Sequence, residues 1–117
     1  IDLVRNELLV FAEEPGAPPR REPIPDAWRE PARIAREQLV EVLADGDDRL
    51  AERYLAGEAI GPPELTAALR AATIARRVVP VLCGSALRNK GIQPLLDAVV
   101  DWLPSPLDVP PVRGADV

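Results

Sequence analysis

Cys83-Gly84-Ser85-Ala86-Leu87-Arg88-Asn89-Lys90-Gly91-Ile92-Gln93 lies between the apolar run Val78-Val79-Pro80-Val81-Leu82 and the periodic segment Leu95 to Leu103, and its reading decides the fold. An apolar run, a loop of small residues and a helical period predict a strand, a loop and a helix in that order. In such a layout, loop N–H groups and a helix N-terminus face a nucleotide at the carboxyl edge of a sheet. The rest of such a site is missing from the sequence. None of the seven glycines opens a G-x-x-x-x-G-K-[ST] phosphate loop. Asn89-Lys90-Gly91-Ile92 puts apolar Ile92 where an Asn-Lys-x-Asp base-recognition motif carries its carboxylate. The chain therefore reads as a fragment, with this stretch as one edge of a larger nucleotide-binding unit.

At 117 residues the sequence suits one domain, or a domain plus an edge, with a modest core. Aromatic residues make up only 3%, so that core rests on Leu, Val, Ile and Ala, and the expected class is α+β: a small sheet with about four helices. Nineteen acidic against fourteen basic residues leave a net charge of −5. Direct nucleic-acid binding by the chain is not expected, since phosphate neutralisation needs clustered Lys and Arg. A basic partner fits better.

Histidine is absent, which removes the commonest general base and zinc ligand. No catalytic residue, metal site or independent enzyme activity is expected of the fragment. No run reaches the roughly 18 apolar residues of a membrane span, and Ile1-Asp2-Leu3-Val4 lacks a signal-peptide pattern, so the expected location is cytoplasmic. The single cysteine, Cys83, ends an apolar run and is expected to be a buried thiol in a reducing compartment.

Along the chain, Ile1 to Phe11 predicts one or two short strands, and the proline-rich Glu13 to Pro25 a hairpin tip or loop. From Asp26 a helix is expected, with Trp28, Ala32, Ala35, Leu39 and Val42 on its buried side and Glu30, Arg33, Glu37, Glu41 and Asp45 on the opposite ridge. Pro31 would cost about 3 kcal/mol inside a helix, so either the regular turns begin near Glu30, the preferred reading, or the helix kinks there. Gly46 ends that helix, and Asp47 caps a second from Asp48 to Leu55 that closes at Gly57. A third runs from Pro62 or Pro63 to about Arg77, burying Leu65, Leu69, Ala72 and Ile74. A strand follows at Val78 to Leu82. The last helix, Gln93 to Trp102, is expected to bury Leu95, Leu96, Val99, Val100 and Leu103, with Trp102 as anchor. By itself the acidic ridge is a solvated helix face, as are Asp97 and Asp101.

Three stretches resemble bacterial translation elongation factor G, the ribosomal translocase. They are Ile1-Asp2-Leu3-Val4-Arg5; Arg49 to Glu58 followed by Leu65 to Arg70; and, most specifically, Cys83 to Gln93 with Leu95 to Pro106. Phe11 to Trp28 matches poorly. The resemblance implies that residues 1–77 form the inserted G-prime subdomain. Residues 78–104 would be the last strand and helix of the GTP-binding domain, and residues 105–117 the linker toward the next domain. It further implies that the Ser85, Ala86 and Leu87 loop offers a backbone N–H to guanine. By the same resemblance Glu41, Asp45 and Asp48 would meet the ribosomal stalk protein. GTP and Mg²⁺ would be cofactors of the parent GTPase, with none in the fragment. The alternatives are a release-factor or ribosomal-protection relative, or a self-standing acidic helical adaptor that never meets a nucleotide.

Overall fold

The computed structural model describes residues 1–14 and 16–108. Pro15, in the segment expected to be a hairpin tip or loop, and 109–117, in the expected linker, lie outside the described residues. Strands β1 (Leu8–Val10) and β2 (Arg20–Glu22) form a two-stranded antiparallel sheet in which Leu9 faces Arg21. Helices α1 (Asp26–Ala44), α2 (Asp48–Leu55) and α3 (Pro62–Ile74) follow, then a single 3₁₀ turn (Ala86–Arg88) and α4 (Ile92–Trp102). The α+β expectation holds, with four helices and one small sheet among the described residues.

Local chemistry explains the element ends. The Asp2 carboxylate accepts from the Val4 and Arg5 amides at 2.9 and 3.0 Å, and Asn6 takes a left-handed φ of 58°. The chain thus turns before β1, and Asp2 bridges to Glu7. The Asp47 side chain accepts from the Leu50 amide at 3.1 Å and caps α2. At the other end of α2, Gly57 at φ 71° donates to the Tyr54 carbonyl while Glu58 donates to that of Arg53, a Schellman closure.

Helix α3 ends by the same geometry, with Arg76 donating to Thr73 and Arg77 to Ala72, but its left-handed residue is Arg76 at φ 58°. This closure stops the helix at Ile74, three residues short of Arg77. Helix α1 begins earlier than expected, at Asp26, and keeps Pro31 in its interior. Asp26 in its first turn sits at the positive end of the dipole and pairs with Arg29 at 2.6 Å.

The core gathers Val4, Val40, Leu43, Leu50, Leu65, Ala68, Leu69 and Ala72, with Tyr54, Ile60, Val78 and Trp102 packed on its margin. Leu65 is wholly enclosed. Several expectations fail at the periphery. Trp28 is 60% exposed and Val42 also faces outward, while Ala32 of the predicted stripe is buried and Leu39 packs on a core that α1 enters through Val40 and Leu43. Cys83 is exposed, not a buried thiol.

Val78 to Leu82 pairs with no described strand, since a strand needs a hydrogen-bonding neighbour and the two-stranded sheet does not supply one there. On α4 only Ala98 is buried; Leu95, Leu96, Val99, Val100 and Leu103 are exposed. Helix α4 packs on α3, and between its open side and residues 78–82 runs an apolar groove of about 480 Å³.

Replacing Leu65 by Ala is expected to lower unfolding free energy by about 2–5 kcal/mol in urea titrations. Leu87→Ala, at a position 98% exposed, should change it by less than about 0.5 kcal/mol. Arg76→Gly should raise the urea midpoint, since glycine removes the cost of about 1 kcal/mol for a side chain in the left-handed region.

Candidate functional site

Two places carry candidate functional residues. The first is the loop from Cys83 to Gly91. The Ser85 amide donates to the Lys90 carbonyl at 2.8 Å and the Lys90 amide returns to Ser85 at 3.0 Å, closing the loop at its neck. Inside the neck the Arg88 amide also donates to the Ser85 carbonyl at 3.1 Å, which makes the 3₁₀ turn. Two glycines allow this crossing. A Cβ on Gly84 would lie 2.8 Å from the Lys90 carbonyl oxygen, and one on Gly91 would lie 2.9 Å from the Gly84 Cα. Gly91 also takes φ 84° where α4 begins, a conformation in which a side chain is strained.

The consequence is that Ala86 and Leu87 stand at the exposed tip of the loop, with Ser85 half-buried beneath them. No described residue accepts a hydrogen bond from the Ala86 or Leu87 amide. Lys90, the only lysine in the chain, is half-buried in the neck. One further contact reaches this region from afar: Gln93 in the first turn of α4 donates to the Ala17 carbonyl of the β1–β2 connection at 3.4 Å.

The second place is the C-terminal end of α1. The acidic ridge of this helix divides into two electrostatic halves. Arg33 pairs with both Glu30 and Glu37, which raises its own pKa and lowers that of Glu30 through their hydrogen bond. Among the described residues Glu41, Asp45 and Asp48 have no ion-pair partner, and all three are exposed. Asp45 occupies the C-cap of α1, and no basic residue sits in the last turn. A carboxylate there opposes the helix dipole at a cost of about 0.3–1 kcal/mol. Stability of α1 is therefore not what this placement serves.

Glu41 and Asp45 line an open groove of about 430 Å³ whose remaining wall includes Val42, Ala72, Arg77 and Val78. Arg77 lies directly over Gly46, its guanidinium in the space a Cβ would take. Asp48, one residue into α2, is outside that lining, so the structure joins Glu41 and Asp45 but not the third carboxylate. Tyr54 does not stand out in the sequence, yet its hydroxyl donates to Glu41 Oε1 at 2.9 Å and fixes that carboxylate on the rim. Its signal is invisible in linear spacing, because the two residues lie thirteen apart on different helices. Glu41 raises the Tyr54 pKa, first by that hydrogen bond and then by its charge. The loop and the acidic groove are separate sites.

Comparison with known proteins gives one consistent result. No protein-family model matches the chain. Elongation factor G from Thermotoga petrophila is 50% identical over 114 residues, covering 97% of this chain and 16% of that protein. Elongation factor G 2 from Syntrophus aciditrophicus is 50% identical over 115 residues, covering 97% of this chain and 17% of that protein. In structure, a crystallised protein from Thermus thermophilus superposes with a TM-score of 0.76 at 28% identity, over 92% of this chain and 16% of the other.

As the only tyrosine, Tyr54 can be titrated alone by its absorbance. The neutral phenol is the form that donates to Glu41, so its midpoint should lie above the ordinary tyrosine value and fall back toward it in Glu41→Gln. The contribution of this bond to folding is present below the ordinary value and lost as pH rises through the raised one. The chain spans about one-sixth of the length of the relatives it matches, and over 97% of its own residues it is homologous to that segment of elongation factor G.

Proposed function

We propose that the chain is a fragment of a ribosomal translocation GTPase in protein synthesis, supported above all by its 50% identity to elongation factor G over 97% of its length. In this reading residues 1–77 are the inserted G-prime subdomain, residues 78–104 the last strand and helix of the GTP-binding domain, and residues 105–117 the linker to the next domain. The unpaired apolar segment Val78–Leu82 and the bare face of α4 support that division. An edge strand and helix taken out of a parallel sheet leave such surfaces uncovered.

The loop supplies backbone amides rather than side-chain chemistry. Ala86 and Leu87 are exposed with amides that meet no described acceptor, which fits contact with the edge of a guanine base in the parent protein. The phosphates of GTP and the Mg²⁺ ion need groups outside this chain, so the fragment alone is not an enzyme. Its working partners are the ribosome and the basic face of a stalk protein, in the cytoplasm. Glu41 and Asp45 carry that contact, since both are exposed carboxylates on the rim of a groove with apolar groups in its wall. Asp48 adds to the field that steers the encounter.

Titrating the chain with ribosomal stalk protein tests this directly. Glu41→Lys with Asp45→Lys should weaken binding at least tenfold, about 1.4 kcal/mol, while circular dichroism remains that of the parent chain. Binding that is unchanged by the charge reversal rejects the assignment.

A further inference from the structure

Helix α4 ends without a cation of its own: its last turn carries no basic residue, and its terminal carbonyls have no intrahelical donors. The cation comes from α3. Arg70 Nη1 donates to the carbonyls of Val100, Asp101 and Leu103 at 3.3, 3.0 and 3.1 Å, while Nη2 donates to Asp108 Oδ2 at 2.8 Å. The same Asp108 oxygen accepts from the Ser105 amide at 2.7 Å and from the Ser105 hydroxyl at 2.8 Å, and the Asp108 amide closes the turn onto the Ser105 carbonyl at 3.0 Å. These bonds, led by those from Ser105, hold the Asp108 carboxyl below its usual pKa.

We infer that Arg70 is a positioning residue that locks the turn 105–108 against the end of α4 and so sets the direction in which the chain leaves that helix. Two features argue for a lock rather than an incidental ion pair. A planar guanidinium presents donors in a fixed fork, so one group can hold carbonyls at the helix end through one nitrogen and a carboxylate through the other; an ammonium has no such fixed fork. The turn is also made by Asp108 itself, so the group that shapes the exit is the group that Arg70 grips. Pro104 and Pro106 limit the backbone between them and leave few other routes. The orientation of α3 is thereby passed to whatever follows Asp108, and it is passed through one side chain.

NMR on the whole 117-residue chain tests the lock. In the parent chain the Ser105 and Asp108 amides should share the alignment of α4 in residual dipolar couplings, and the Ser105 amide should be protected from exchange. In Arg70→Gln those couplings should shrink and Ser105 exchange should rise at least tenfold, with the Leu50 and Ala72 amides unchanged. Arg70→Lys should restore thermal stability more than it restores the couplings.

Asp108→Asn leaves α3 untouched and keeps an acceptor for Ser105, so it isolates the charge that faces Arg70 and serves even if Arg70→Gln fails to fold. It should reduce the couplings as well, and the double variant should be no looser than either single one. Couplings at Ser105 and Asp108 that persist in Asp108→Asn, or losses that add in the double variant, would overturn the inference.

Discussion

Helix α3 is the element on which the rest of the structure depends, because it packs on α1 along one side and carries α4 on another. Its Leu65, Ala68, Leu69 and Ala72 are all buried, and the alanines let neighbouring backbones come close where larger side chains would hold them apart. With one phenylalanine, one tyrosine and two tryptophans in the whole chain, and Trp28 exposed, the buried core cluster is aliphatic, with Tyr54 and Trp102 packed on its margin. A small aliphatic core gives little margin, so the connections around it need other ties.

Arginines provide many of those ties. Arg36 on α1 reaches the carbonyls of Leu3, Val4 and Ile60, joining the N-terminal turn to the segment that enters α3. Burial lowers its pKa, opposed by the charge of Asp2. Arg53 on α2 bonds the Ala59 carbonyl together with Glu58 and Glu64, holding the α2–α3 connection. In each case a guanidinium satisfies loop carbonyls that no strand or helix supplies with donors, a task suited to its several fixed N–H groups. Exposed ion pairs such as Arg29–Asp26 add little by comparison.

The two candidate sites use opposite strategies. The Ser85–Leu87 loop is shaped by backbone bonds and by the close approach of Gly84 and Gly91, and the amides of its exposed tip residues Ala86 and Leu87 meet no described acceptor. The end of α1 offers charge, with Glu41 steadied by Tyr54 and Asp45 set against the helix dipole. Arg33 pairs with both carboxylates of the upstream half of the same ridge, whereas Glu41, Asp45 and Asp48 have no ion-pair partner among the described residues. The ridge read from the sequence as one solvated face has two regions of different character.

Residue order alone determined the four helices, the capped start of α2, its glycine stop, and the loop bounded by Gly84 and Gly91, since each follows from short-range periodicity and local hydrogen bonds. The resemblance in Cys83 to Pro106 was likewise readable without coordinates. Which faces are covered was decided only in three dimensions. The predicted stripes of α1 and α4 were apolar enough to be buried, yet Trp28, Val42, Leu96 and Val100 remain exposed because burial requires a neighbour, and none of the described elements lies there. Val78 to Leu82 has the composition of a strand and lacks its ladder for the same reason. The pairing of Tyr54 with Glu41 and the reach of Arg70 to Asp108 also belong to tertiary structure, because long polar side chains find partners by proximity across helices, which spacing along one helix cannot reveal.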